Sequence, residues 1–179
     1  MRAMVIYESM YGNTHAIADA IGRGLATGNE VTVVPVAEAT PDLLSEADLV
    51  VAGGPTHVHG MSGARSRQAA VEAAHKDGSV LTLDPHAQGP GLRDWFGTIG
   101  RIHGCSAAFD TRMDGPAMLT GRASKAIAKL LDRHGMTEIA PAQSFLVTKD
   151  NHVRPGEEDR AEQWGRELAA KLPAASAFR

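Results

Sequence analysis

The sequence contains one cysteine, Cys105, among its 179 residues. A single cysteine excludes an internal disulfide and a cysteine-rich metal site. No apolar run reaches the roughly 20 residues that span a bilayer, and the first residues enter a strand pattern without a secretory leader. We therefore expect a cytoplasmic protein with no membrane partner, and we predict no metal site.

Positive charge and aromatic residues are also scarce. The chain has 18 Lys and Arg against 21 Asp and Glu, which gives a net charge of −3, and its aromatic content is 4%. Proteins that bind nucleic acid carry a basic surface, so we expect no nucleic-acid partner. The length and the hydrophobic content of 43% are typical of a globular protein with a substantial core.

The chain does contain a regular alternation of strand and helix patterns. Short apolar runs predict strands at 4–7, 31–36, 48–52, 106–110 and 144–148. Pro35 within the second run is typical of an edge strand. Apolar residues at helical spacing predict a helix from the first turn to Gly28, a short one from Pro41, three over 65–75, 91–102 and 123–134, and a last one after Pro155.

This alternation predicts an α/β domain over 1–172, built on an open parallel sheet with helices on both faces. The tail 173–179 is expected to be frayed. Ligands of such sheets bind beyond the carboxyl ends of the strands, where the strand order reverses. The segments that follow the first, third and fourth strands are therefore the candidate site.

The first of these segments reads ESMYGNT and leads into a helix. A helix N-terminus has unpaired N–H groups and a partial positive charge, so it favours an anion. Gly12 lets the backbone approach closely, and the neighbouring hydroxyl and amide side chains add neutral donors. The alternative is that Asn13 or Thr14 only caps the helix.

The other segments carry the cations of the predicted site. GGPTHVHGMSG, at 53–63, holds two histidines, and DTRMDG, at 110–115, holds Arg112. The alternatives are that His57 and His59 are only solvated and that Arg112 forms a surface ion pair with Asp110 or Asp114. Phe109 is predicted to be a core residue. A fourth segment, 148–155, leaves the fifth strand at the same rim and adds Lys149, His152 and Arg154.

With these residues in view, the chain resembles the flavodoxin family. ESMYGNT resembles the family's phosphate loop, GGPTHVHGMSG resembles a loop of the NAD(P)H–quinone oxidoreductase branch, and AAFDTR occupies the place of the third flavin-contacting loop. The lack of a long insertion in the fifth strand resembles the short-chain form. The resemblance implies a three-layer α/β/α flavodoxin-like sandwich whose five-stranded parallel sheet has the order 2-1-3-4-5.

The resemblance also implies FMN as the cofactor, with its phosphate in the first segment and its ring along the other two. The residues implied to bind it are Ser9, Met10, Tyr11, Gly12, Asn13, Thr14, Pro55, Thr56, His57, Val58, His59, Gly60, Asp110, Thr111 and Arg112. No catalytic side chain is required, because the flavin carries the redox chemistry.

The function implied by this resemblance is redox chemistry. The mild acidity and few aromatic residues differ from the electron-shuttling flavodoxins, so we expect an oxidoreductase that takes electrons from NAD(P)H or a reductase and passes them to a quinone or another small electrophile. One alternative is a non-catalytic electron carrier that docks to a partner protein, and another is a flavin-free interaction module. The oligomeric state stays open, with a homo-oligomer among the alternatives.

Overall fold

The computed structural model describes residues 1–57 and 59–172. Its strands are β1 (Arg2–Tyr7), β2 (Glu30–Pro35), β3 (Leu49–His57), β4 (Gly60–Met61), β5 (Cys105–Met113), β6 (Thr137–Glu138) and β7 (Gln143–Val147). Its α-helices are α1 (Asn13–Leu25), α2 (Pro41–Ser45), α3 (Ala64–Ala74), α4 (Leu92–Phe96), α5 (Ala117–Thr120), α6 (Ala123–Arg133) and α7 (Glu157–Lys171), and Val36–Glu38 forms a 3₁₀ turn.

The strands form a parallel sheet in the order β2-β1-β3-β5-β7, which confirms the predicted fold and the edge position of the second strand. The predicted fifth strand is present as two pieces on one edge of β5. The first piece, β6, pairs with Cys105 and Ser106, and β7 pairs with the residues from Phe109 to Met113. Only 139–142 separate these pieces, and β4 adds a short antiparallel pairing with β3, so the sheet has two more strands than predicted.

Apolar side chains cover both faces of the central strands, which is why these strands lie in the middle of the sheet. One core contains Ile17 and Ile21 of α1 and Trp164 of α7. The other contains Trp95 of α4 and Ile127 of α6. The helices thus form one layer on each side of the sheet.

Helices α1 and α7 touch through their backbones. A Cβ at Gly24 of α1 would come within 2.0 Å of the Glu162 carbonyl oxygen, and a Cβ at Gly165 of α7 within 2.3 Å of the Ile21 carbonyl oxygen. Only glycine permits this approach. The contact holds α1, and with it the start of that helix, against the sheet.

Three predicted boundaries were wrong. The strand β3 runs on into the glycine-rich segment as far as His57, because its backbone keeps pairing with β5 up to Pro55 and Thr111 and then with β4. The strand β5 likewise includes the segment that was predicted to be a loop after it. The predicted helix over 91–102 is the short α4, which ends before Gly97. The predicted frayed tail, 173–179, lies outside the described residues.

Within the described ranges, no helix is long and apolar enough to cross a membrane.

Candidate functional site

The segment after β1 places the start of α1 in an open position. Gly12 has a left-handed backbone with a φ of 85°, and α1 begins at Asn13 with no side-chain cap. The Gly12 N–H donates to Ser9 Oγ at 3.1 Å. The alternative that Asn13 or Thr14 caps the helix is therefore wrong, and among the residues described no side chain accepts from the first N–H groups of α1.

The side chains of Asn13 and Thr14 instead connect the first segment to two others. Asn13 Nδ2 donates to the backbone oxygen of Asn151 at 3.1 Å and to its Oδ1 at 3.0 Å. The Thr14 and Thr111 hydroxyls lie 2.7 Å apart, and both residues are buried. These bonds bring the ends of β1, β5 and β7 together.

A cleft of about 190 Å³ opens where these strand ends meet. It is lined by Ser9, Met10, Tyr11, Asn13, Thr14, Pro55, Thr56, His57, Thr111, Arg112, Met113, Val147 and Asn151. Most of these side chains are neutral donors or apolar groups. No cluster of metal-ligating side chains occurs in the described part of the chain.

Several residues implied by the resemblance do not line the cleft. Gly12 forms the turn below it, while His59 and Gly60 lie in the hairpin between β3 and β4. His59, with a φ of 70°, forms a bridge to Gly121. Val58 lies outside the described residues.

Asp110 points away from the cleft and is fully buried. Its Oδ2 accepts the Ser124 N–H at 2.7 Å, so the carboxyl group caps the first turn of α6 from within the sheet. Burial raises the pKa of Asp110, against the lowering effect of the bonds from Ser124 and Ser144. The expectation that Asp110 contacts the flavin does not fit this geometry, because its side chain is buried and one carboxyl oxygen is bonded to the start of α6.

Two ionisable groups of the second and third segments line the cleft. Burial lowers the pKa of His57, and the nearby Glu8 carboxylate opposes this shift. Arg112 Nη1 donates to the Gly115 oxygen at 2.7 Å and to Thr120 Oγ1 at 2.9 Å, whereas Asp114 pairs with Arg154 at 3.4 Å. Among the described residues Arg112 forms no ion pair with Asp110 or Asp114, so the alternative predicted for Arg112 is wrong, and its positive charge lies at this rim.

Tyr11 is the one aromatic residue that lines the cleft among the residues described. Its hydroxyl donates to the Ala70 oxygen at 2.8 Å, and burial raises its pKa. Phe109 is fully buried and packs against Phe145, which confirms that it is a core residue.

Met113, Val147 and Asn151 also line the cleft but were not predicted to do so. The signal for Asn151 was present, because 148–155 was placed on this rim. The residues predicted to act there were the charged ones, Lys149, His152 and Arg154, rather than the neutral Asn151. Asn151, with a φ of 60°, is the residue that turns towards the cleft.

The sequence and the fold were both compared with those of known proteins. Residues 5–92 match the model of the flavodoxin family. A flavodoxin from the domain Archaea is 21% identical with a TM-score of 0.65, over 96% of this chain and 99% of that chain. Flavodoxin 1 from Bacillus cereus is 18% identical with a TM-score of 0.64, over 97% of this chain and 100% of that chain. Diflavin flavoprotein A3 from Nostoc sp. is 20% identical with a TM-score of 0.55, over 96% and 93% respectively.

At these identities the solved structures show the fold, and the family rests on the sequence match together with it. The predicted likeness to the NAD(P)H–quinone oxidoreductase branch is not supported by these matches. Flavodoxins bind FMN and pass electrons to partners. The sequence match over 5–92 and the fold together support a place for this chain in the flavodoxin family.

Proposed function

We propose that the cleft holds FMN with its phosphate at the start of α1, and that the protein exchanges electrons with its partners through this flavin. The observation that carries the proposal is the uncapped start of α1 beside a cleft with neutral donors. The first N–H groups of a 13-residue helix favour an anion through their direction and their partial charge.

The residues at this end fit a phosphate. A Cβ built on Gly12 meets no atom within 4 Å, so the space beside the turn is open. If the Thr111 hydroxyl donates to Thr14, the Thr14 proton is left to point into the cleft. Ser9 and Asn13 line the same end. Such donors suit a phosphate monoester without the help of a lysine.

The rest of the cleft fits a flat, mixed polar and apolar ring. Pro55, Thr56 and His57 form one wall, and Thr111, Arg112 and Met113 form another. When bound, FMN supplies the redox chemistry, and the protein binds and orients it and adjusts its charge environment. Arg112 adds a fixed positive charge, since its guanidinium is held by Gly115 and Thr120.

A small electrophile such as a quinone is our proposed acceptor. The supporting observation is that Tyr11 alone contributes an aromatic ring to the described lining, with its hydroxyl fixed on Ala70. A cleft with one aromatic wall leaves room for a small molecule at the ring. An electron carrier that docks to a protein is the second candidate, and the exposed surface described below favours it.

Replacing Asn13 and Thr14 together with Ala tests the binding site. Thr14→Ala removes a donor to a charged group, which costs about 1.5–3 kcal/mol, and Asn13→Ala removes the neutral contact with Asn151, which costs about 1 kcal/mol. We therefore expect FMN affinity to fall by about a hundredfold. The control is the Thr27→Ala, Asn29→Ala pair, which lies beyond the other end of α1. Unchanged FMN affinity in the Asn13, Thr14 variant would overturn the assignment. Steady-state oxidation of NAD(P)H with added quinone then separates the two candidate acceptors.

A further inference from the structure

Apolar side chains are exposed beside the cleft. Met113, Met118 and Leu119 are 47%, 92% and 69% exposed, at the end of β5 and on the short α5. Met113 also lines the cleft, so this apolar surface is continuous with the proposed flavin site. Clustered exposed apolar side chains mark sites of interaction more often than single ones do.

The backbone of this segment is held in place from both sides. Arg112 Nη1 donates to the Gly115 oxygen and to Thr120 Oγ1, which lie before and after Met118 and Leu119. Gly121, with a φ of 79°, packs so closely on the backbone of His59 that a Cβ would lie 2.2 Å from the His59 Cα. The apolar side chains therefore project from an ordered backbone, and binding costs less ordering entropy.

The next residues along the chain are basic. Residues 115–131 contain Arg122, Lys125 and Lys129 and no Asp or Glu. All three cations are exposed, and none forms an ion pair within the described part of the chain. The segment is thus positive on a chain whose net charge is −3.

The positive charge of residues 115–131 begins next to the cleft. Arg122 precedes α6, and the following N–H, of Ala123, donates at 2.9 Å to Thr56 Oγ1 in the cleft wall. Two open grooves meet at Arg122, one of about 700 Å³ along α6 and one along β7. The acidic residues of the larger groove, Asp132 and Glu138, lie at its other end, where β6 pairs with the start of β5.

We propose that Met113, Met118, Leu119, Arg122 and Lys125, here called the docking patch, bind an acidic electron-transfer protein. The proposal rests on the proposed redox function, because the patch borders the flavin cleft. Apolar contacts at the centre and cations at the rim suit a partner that presents carboxylates around an apolar spot.

The geometry favours a protein over the two other possible occupants. A second copy that used the same patch would set like charges against each other across a two-fold axis. An anionic membrane would gain little from three apolar side chains, because stable anchoring needs a larger buried area or a lipid.

The test measures binding of a fluorescently labelled acidic [2Fe–2S] ferredoxin to the full chain, with and without FMN, at several salt concentrations. Arg122→Glu with Lys125→Glu is compared with Lys76→Glu plus Lys171→Glu, which changes the net charge equally at exposed positions away from the patch. Met118→Ser with Leu119→Ser is compared with Val80→Ser, whose side chain is 91% exposed. FMN titration of every variant checks the cleft.

We expect salt-sensitive binding that falls at least about fivefold in the Arg122, Lys125 variant and about threefold in the Met118, Leu119 variant, with both controls close to wild type. The proposal is overturned if the ferredoxin does not bind, if patch and control variants weaken binding equally, or if the patch variants lose only self-association or binding to phosphatidylserine vesicles. If the protein binds the ferredoxin through the docking patch but does not bind FMN, the docking proposal stands and the proposed function is refuted.

Discussion

The Asn13 side-chain amide on α1 donates to both the backbone oxygen and the side-chain oxygen of Asn151, at 3.1 and 3.0 Å. These residues are 138 positions apart, and their contact holds the loop after β7 against the start of α1. Asn151 has a φ of 60°, which glycine adopts without strain.

Asn151→Gly should therefore keep the turn while it removes the side-chain acceptor. We expect FMN affinity to fall by about threefold to tenfold, as for the loss of one neutral hydrogen bond of about 1 kcal/mol. Quenching of flavin fluorescence on titration measures this. Asn29→Gly, at the far end of α1, is the control, and an Asn151 variant as tight as the control would show that the contact does not support the site.

The buried position of His57 predicts a pH dependence of stability. Since burial lowers its pKa in the folded state, the unfolded state binds more protons as the pH falls below about 6.5. The contribution of neutral His57 to stability is present above that pH and is lost as the pH falls towards the folded pKa. His57→Asn should flatten the loss between pH 7 and 5 in urea unfolding, with His75→Asn as the control for an exposed imidazole. An equal slope in wild type and the His57 variant would contradict the shift.

The buried carboxyl group of Asp110 predicts a pH dependence of stability whose sign is opposite to that of His57. Burial raises its folded pKa above the unfolded value of about 3.9, so the folded state binds more protons and stability falls as the pH rises through that window. Asp110→Asn keeps an acceptor for the Ser124 N–H and removes the titration. We expect its free energy of unfolding, relative to wild type, to rise from pH 4 to pH 7. A relative stability that falls over this range would show that the carboxylate is stabilising.

Arg112 predicts a change in reduction potential. Arg112 lines the cleft, and its guanidinium, held by Gly115 and Thr120, forms no ion pair with the described carboxylates. Its charge therefore favours the negative charge that reduction adds to the flavin. A unit charge at about 6 Å in an effective dielectric of about 40 contributes ~1.4 kcal/mol, or about 60 mV for one electron. Arg112→Gln should make the potential more negative by that order, with a smaller effect at high salt.

Spectroelectrochemistry measures the potential, and Arg133→Gln at the end of α6 is the control because it lies outside the cleft lining. A potential that is unchanged or more positive in the Arg112 variant would mean that the cleft has no cationic rim. That result would also favour the second candidate function, a non-catalytic electron carrier with a low reduction potential.

The central architecture could be predicted from sequence because β1, β3 and β5 are apolar on both faces and each is followed by a helical pattern. The end of β5 beyond Asp110 could not, since Thr111 and Arg112 belong to a segment, 110–115, that has the composition of a turn. Their strand conformation comes from pairing with β3 and β7 in the folded sheet.

The candidate site, like the fold, could be predicted only in the parts that have a local sequence signal. The position of the first segment at the cleft could be predicted, because a glycine and hydroxyl residues directly before a helix are a local sequence signal for an anion site. Asn151 and the capping role of Asp110 depend on contacts with Asn13 and Ser124 that no local pattern encodes. Charge was also a poor guide, since Arg154 is paired with Asp114 whereas the neutral Asn151 lines the cleft.

The measurement that tests the account most directly compares the binding of FMN and of riboflavin, which lacks the phosphate, to the flavin-free protein. If the phosphate lies at the uncapped start of α1, FMN should bind with one-to-one stoichiometry and at least about tenfold more tightly than riboflavin, because bonds to a charged group contribute about 1.5–3 kcal/mol each. Equal affinities for the two flavins, or no binding of FMN, would contradict the assignment of this cleft.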